Sequence, residues 1–408
     1  MHRTVRPVML TALAALAIGL TGCADETAAP SQEDAWNYAL AAAGSEGLVL
    51  VDFYADWCGP CKRFDEALQD DAALQATLER VTFVRLDAEK DHGETLAETY
   101  GVTGYPTFVL TDGGGTLLDL WSGWGDTATF VASLDEALVD PMSLEARIAR
   151  FEADPTADDA VRLARMMDTV DDHGAAVRYY RAAVEIDPAR STDLAPDLAY
   201  ATISGLRDGS TTTDQARETT RAMFDSDDVD LAAKIQIALM LDRAGKRHDA
   251  PDLAAEFLTA AMTAAEGSDD EQVASIRPDL GIAHALTVLD DPKAALEFKR
   301  ASMDDGWTED ASQLNAFAWW CFEHEVNVDE AMELARKGVE LAEPGSEKAM
   351  ILDTLAELCN LAGDCGEAIA TIDLAIEQDP DRTYYQEQRE RFESILAGSG
   401  GTDGSAES

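Results

Sequence analysis

One stretch constrains this chain more than any other. Residues 49–63 read V-L-V-D-F-Y-A-D-W-C-G-P-C-K-R. The apolar, β-branched and aromatic run of Val49, Leu50, Val51, Phe53 and Tyr54 predicts a buried strand. It ends in a turn where Cys58, Gly59, Pro60 and Cys61 open an amphipathic helix, with Pro60 supplying a helix-ready φ where no N–H is needed. Two thiols thus stand one helical turn apart. A cysteine at a helix N-terminus faces unpaired backbone N–H groups and the positive end of the helix dipole, which favours thiolate over thiol. Cys58 is therefore read as the nucleophile, and Gly59 leaves the approach to it open. Cys61, three residues on, is placed to attack the mixed disulfide that Cys58 forms.

The segment D-F-Y-A-D-W-C-G-P-C-K, ending at Lys62, resembles the active-site strand and helix of thioredoxin. The likeness continues beyond the cysteines. Phe83 to Asp87 matches that family's next central strand, and G-V-T-G-Y-P-T at 101–107 matches its cis-proline loop. The resemblance implies that Asp52 is the family's buried acid, which relays protons to the inner thiol. It also implies that Tyr105 and Pro106 lie opposite the dithiol with the 105–106 bond cis, where the loop backbone pairs with a substrate chain. Phe64-Asp65-Glu66, with a second short helical piece over residues 70–80, is most similar to the extracytoplasmic thioredoxin-like domains of membrane thiol:disulfide interchange reductases. Arg85 stands where the family usually carries a lysine facing the acid; a permanent cation there is expected to hold Asp52 ionised more firmly and to weaken the relay. A redox-inactive scaffold is the alternative, against which both thiols are present together with Trp57, Pro60 and Pro106. A zinc site on this C-x-x-C would need two more ligands, with His92 the one nearby candidate, so neither a metal nor a cofactor beyond the redox-active cysteine pair is expected.

The chain before this unit reads as a targeting segment. His2, Arg3 and Arg6 precede an apolar run from Val8 to Leu20, which makes a secretory signal over residues 1–22, too short to span a bilayer. Leu20-Thr21-Gly22-Cys23 resembles the bacterial lipobox, which implies that Cys23 is lipidated and that the mature protein is anchored to a membrane; an ordinary cleaved signal is the alternative. Residues 23–32 are a small, polar tether, and a thioredoxin-like domain is expected over 33–140. Its helices are expected at 33–43, 94–100 and 127–138, with strands at 107–111 and 116–121 around a Gly113-Gly114-Gly115 hairpin. Trp121 and Trp124 flank a glycine-rich turn and are read as packed residues before substrate-facing ones.

From Pro141 the composition shifts to Ala, Leu, Glu and Asp at helical spacing, predicting an all-α region over 141–396. Its last unit resembles a tetratricopeptide repeat: Leu352, Leu355, Ala356, Cys359, Ala368, Ile372, Ala375 and Pro380 fall on that motif's apolar, small and proline positions. Ala160, Leu163, Ala164, Met167, Ala176, Tyr180, Ala183 and Pro188 do the same earlier. Degenerate helix pairs are read at 194–224, 231–262 and 278–303, all expected to stack into a solenoid that binds a protein partner. Residues 397–408 read as a disordered Gly/Ser tail.

Three cysteines remain in this region. Cys359 and Cys365 fall on facing positions of one hairpin, where an exported protein could join them as a structural disulfide or bury them as small hydrophobes. Cys321 with His324 forms a C-x-x-H pair, a weak metal candidate. With 79 acidic against 31 basic residues and a formal net charge of −48, the surface repels phosphate, which argues against nucleic-acid binding. The expectation is an α/β thioredoxin fold followed by tetratricopeptide-like hairpins, facing the periplasm or the cell exterior. Its activity would be the reduction of disulfides in exported proteins, fed by a membrane thiol electron donor. The alternatives are an isomerase or chaperone, and an assembly scaffold with a vestigial dithiol.

Overall fold

The computed structural model of the 408-residue chain describes residues 31–399. The signal, Cys23, most of the tether and most of the tail lie outside the described residues. The described chain divides into two compact units, one ending at Met223 and one beginning at Phe224.

In the first unit Ser31 caps α1 (Gln32–Ala43), its hydroxyl accepting the Asp34 amide while the Asp34 carboxylate reaches back to the cap. There follow β1 (Leu48–Tyr54), α2 (Gly59–Asp70), α3 (Ala72–Leu78), β2 (Thr82–Asp87), α4 (Asp91–Tyr100), β3 (Thr107–Asp112), β4 (Leu117–Ser122) and α5 (Thr127–Val139). The sheet order is β2-β1-β3-β4, with β1 parallel to β2 and antiparallel to β3. This is the mixed α/β arrangement expected.

Both faces of β1 are covered, which is why its sequence is almost continuously apolar. Val49, Val51 and Phe53 enter a core with Trp36 of α1 and Leu96 and Tyr100 of α4. Leu50 enters the opposite core with Phe64 of α2, Leu74 and Leu78 of α3, Phe108, and Phe130 and Leu134 of α5. Side chains alternate along a strand, so Asp52 shares the face of Leu50 and lies on the side that α2 covers. Trp121 and Trp124 belong to that same aromatic core, Trp124 standing 4.8 Å from Phe64 and Trp121 5.7 Å from Phe108 between ring centroids. Packing is their role.

The chain continues through α6 (Leu144–Ala153), α7 (Ala157–Thr169), α8 (His173–Ile186), α9 (Ala195–Ser204) and α10 (Thr213–Asp225). The expected junction at residues 140–141 is bridged. Arg147, almost wholly buried on α6, donates to the Asp140 carbonyl at 2.7 Å and to Asp159 Oδ1 of α7 at 2.9 Å. Arg150 joins the same two aspartates. From α7, Met166 packs into the core of Trp36, Val51 and Phe53, and Arg162 pairs with Asp119 of β4 at 2.6 Å. The first helical hairpin is thereby part of the sheet's own packing. Ala160, Ala164, Ala176 and Ala183 are fully buried around Tyr180 between α7 and α8, where small residues let the helices approach closely.

The second unit comprises α11 (Leu231–Arg247), α12 (Ala255–Ala265), α13 (Glu271–Thr287), α14 (Pro292–Ala301), α15 (Ala311–Glu323), α16 (Val328–Leu341), α17 (Ser346–Leu361), α18 (Cys365–Gln378) and α19 (Thr383–Ser399). Helices pack on the next one or two in sequence, the nearest-neighbour pattern of stacked hairpins. Leu352, Leu355, Ala356 and Cys359 of α17 share one core with Ala368, Ile372 and Ala375 of α18, as their repeat positions imply.

Two expectations are corrected here, and the alternatives left open for Cys359 and Cys365 are resolved. The helix pair read from residue 278 begins earlier, because the Asp270 carboxylate caps α13 through the amides of Gln272 and Val273 and the helix carries Pro278 inside it. The last helix runs to Ser399, into the stretch read as tail from 397. Cys359 and Cys365 are free thiols and not a disulfide. Cys359 is embedded in the α17–α18 core, whereas Cys365 opens α18 with its sulfur 3.6 Å from Asn360 Oδ1. Among the described residues no helix is long and apolar enough to cross a membrane.

Candidate active site

Cys58 and Cys61 form a disulfide at the start of α2. Cys58 is the N-cap residue: its backbone is extended, and its sulfur accepts the Cys61 amide at 3.1 Å. Pro60 follows in the first turn, where its missing N–H costs nothing. A Cβ added at Gly59 would meet only the tip of the Arg63 side chain, at 3.9 Å, so the helix start is open on that side. Both sulfurs are nearly closed off from solvent in this oxidised state and pack with Ala55, Tyr54 and Tyr105. The arrangement places a sulfur where backbone N–H groups and the helix dipole stabilise a thiolate once the bond is reduced.

Asp52 is completely buried, and Arg85 stands opposite it in the β1–β2 register. Arg85 Nε donates to Asp52 Oδ2 at 2.7 Å, the guanidinium also pairs with Asp65 of α2, and its centre lies 4.5 Å from the Tyr54 ring centroid. Burial outweighs the arginine: the Asp52 pKa is raised from 3.8 to about 6. Arg85 acts in the expected direction and favours the ionised form, but burial is the larger effect. Asp52 Oδ1 is buried without a hydrogen-bond partner. A carboxyl with that pKa can exchange a proton near neutral pH.

The raised value makes a stability prediction with a definite sign. Between pH 4 and 6 the folded state binds a proton at Asp52 that the unfolded state has already lost, so the stabilisation is full below about 4 and falls away as pH rises through about 6. Asp52→Asn should therefore match the wild type in urea unfolding near pH 4 and exceed it by about 3 kcal/mol near pH 8. A constant offset across that range would mean that Asp52 does not titrate as described.

Around the dithiol, Trp57 is 68% exposed, its indole N–H donating to the Glu89 carboxylate at 2.9 Å and its edge meeting Tyr105 at 6.0 Å. The Tyr105–Pro106 bond is cis, and the Pro106 carbonyl accepts the Gly123 amide at 2.7 Å, tying this turn to the end of β4. The structure thus brings Cys58, Cys61 and Tyr105 into one cluster with Trp57 at its edge, and pairs Asp52 with Arg85. Lys62 is exposed on α2. With Lys90, whose hydrogen bond has the larger effect, it holds the nearby Asp56 carboxyl below the usual range. Cys359 and Cys365 belong to the second unit.

Sequence reading missed Asp65 and Glu89 as parts of this site. Glu89 follows the second strand by two residues in an acidic turn and carries no signal of its own. Asp65 does: it follows the buried Phe64 by one position on α2, half out of water. Among the described residues no three His, Cys, Asp or Glu side chains are grouped to hold a metal ion.

Comparison with known proteins places these features. The thioredoxin family model matches residues 27–136. Over 66 residues the chain is 47% identical to the thioredoxin of Chlamydia muridarum, covering 16% of this chain and 60% of that protein. It is 35% identical over 95 residues to the protein disulfide-isomerase erp38 of Neurospora crassa, covering 23% of this chain and 26% of the other. The chain thus spans less than two thirds of the length of either relative. Among solved structures, YrrB, described as a TPR protein with an unusual peptide-binding site, aligns over 60% of this chain and 98% of its own at 15% identity, with a TM-score of 0.31. BtubC from P. vanneervenii aligns over 58% of this chain and 93% of its own at 19% identity, with a TM-score of 0.35.

Proposed function

We propose that this chain, whose residues 27–136 match the thioredoxin family model, is a thiol:disulfide oxidoreductase that reduces disulfides in exported proteins. The observation that carries the reading is the Cys58–Cys61 pair at the N-terminus of α2, with Cys58 accepting a helix-start amide beside the Tyr105–Pro106 turn. In the reduced protein the Cys58 thiolate attacks one sulfur of a client disulfide, forming the Cys58–client bond and expelling the other client sulfur as a thiolate. Cys61 loses its proton and attacks Cys58. The client leaves with two thiols, and the chain keeps the disulfide seen here. Asp52 is the acid–base group for Cys61, and its pKa near 6 suits a group that must accept a proton and lose it again.

The basic and apolar leader ending in Leu20-Thr21-Gly22-Cys23 supports export and a lipid anchor at Cys23. Outside the cytoplasm the pair must be reset by a thiol donor, and a membrane thiol carrier is the class that supplies two electrons and two protons there. The helical hairpins would hold a protein partner or the client itself.

Equilibrating the chain lacking residues 1–23 against glutathione or dithiothreitol buffers tests the reading. A reduction potential near about −270 mV supports a reductase. A value between about −180 and −120 mV, together with faster refolding of a scrambled multi-disulfide protein, would replace it with oxidase or isomerase activity.

A further inference from the structure

Arginine in place of lysine beside the buried acid creates a difficulty that the structure also resolves. A guanidinium is a planar fork that commonly grips a carboxylate with two parallel N–H bonds, and such a grip would occupy both oxygens of Asp52. The observed contact is single. Nε donates to Oδ2 at 2.7 Å, while Asp52 Oδ1 and Arg85 Nη2 are each buried without a partner. The remaining arm, Nη1, is drawn to Asp65 on α2, and the face of the guanidinium is held over the Tyr54 ring.

We propose that Asp65 is a positioning residue which, through Nη1, fixes the tilt of the Arg85 guanidinium so that Nη2, the arm beside Nε, does not close on Asp52 Oδ1, and Oδ1 stays free to take the proton of Cys61. This rests on the reductase reading above. In the step concerned, the Cys61 proton passes to Asp52 Oδ1, the Cys61–Cys58 bond forms, the Cys58–client bond breaks, and its electron pair leaves on the client sulfur. That thiolate then takes a proton from solvent. With a two-point grip on Asp52 the acceptor atom would be occupied and the carboxylate over-stabilised, so the transfer would fail near neutral pH. The charged groups that act on the acid are Arg85 from β2 and Asp65 from α2, with uncharged Phe108 opposite on β3. Asp65 thus acts on Asp52 through Arg85 and, more weakly, by its own negative charge.

The test is a carbon-13 carboxyl titration of the full chain in its disulfide form, where no thiol couples to the acid. The Asp52 signal is identified by its loss in Asp52→Asn. Asp65→Ala should lower the Asp52 midpoint by about one pH unit or more, as expected when an arginine closes on a carboxylate. The same change made together with Arg85→Ala, or with Arg85→Lys if the alanine variant does not fold, should move it by less than half as much. The acid limb of dithiothreitol-driven insulin reduction should shift down in step with the Asp52 midpoint. An unmoved or rising midpoint overturns the proposal, and so does an equal shift with and without Arg85, which would leave only the field of Asp65. The titration needs no turnover. A wild type that fails to reduce insulin therefore counts against the reductase reading alone, and an active wild type with an unresponsive midpoint counts against Asp65 alone.

Discussion

Cys61→Ser should accumulate client proteins as mixed disulfides through Cys58, and Cys58→Ser should accumulate none. The asymmetry comes from the position of each sulfur on α2. Cys58 is the residue whose sulfur accepts a free amide of the first turn, so its thiolate is stabilised by groups that have no other partner in the helix. That amide belongs to the backbone of residue 61 and survives the serine substitution. Cys58 therefore still attacks, but a serine hydroxyl at 61 cannot displace the client sulfur. Release then waits on an outside thiol, and the adduct lifetime lengthens to the minutes or hours of uncatalysed disulfide rearrangement. Non-reducing gels of acid-quenched whole cells, followed by mass spectrometry, read this directly. Adducts carried by Cys58→Ser, or none on Cys61→Ser, would reverse or abolish the assigned roles.

Local features of this site were legible because local chemistry produces them. A strand of β-branched and aromatic residues running into Cys58-Gly59-Pro60-Cys61 specifies a strand–turn–helix with no help from the rest of the chain. The small residues at Ala160, Ala164, Ala176 and Ala183, or at Ala356, Ala368 and Ala375, likewise announce close helix contacts, and the structure buries them all. What was not legible depends on distance in sequence. Met166 has the spacing of an ordinary hairpin residue, and nothing in α7 tells that it faces the strand residues Val51 and Phe53. The balance at Asp52 is hidden from the sequence for a related reason. The cation was visible in the sequence, but the complete loss of solvent around the carboxyl, which is the larger effect, was not. Cys359 and Cys365 show the limit of spacing alone, since two positions on facing helices still send one sulfur into the core and the other toward Asn360.

One long-range partner did leave a mark. The strand L-L-D-L-W places Asp119 between Leu118 and Leu120, and a carboxylate buried in a strand demands a cation from elsewhere. Arg162 is that cation, both side chains being about nine-tenths buried. The Leu120 amide donates to Asp119 Oδ1 at 2.9 Å, and burial still pushes the Asp119 pKa up despite the arginine. Arg162→Ala should therefore destabilise the first unit by about 3 to 5 kcal/mol, since it strands a buried carboxylate. Replacing both partners by leucine should recover most of that loss, because two apolar groups need no solvation. Met166→Ala, at a fully buried position, should cost about 2 to 5 kcal/mol through the cavity it leaves. The same contacts bear on the chemistry. The Thr103 hydroxyl, three residues before Pro106, donates to the Thr169 carbonyl at the end of α7 at 3.3 Å, so a hairpin that loosens at Arg162 loosens beside the turn that faces the dithiol. Urea unfolding of the full chain measures the stability terms, and insulin reduction measured alongside shows whether activity falls with them. A loss within about 0.5 kcal/mol for Arg162→Ala, the range of ordinary surface substitutions, would mean that the hairpin only leans on the sheet and that the redox domain is complete without it.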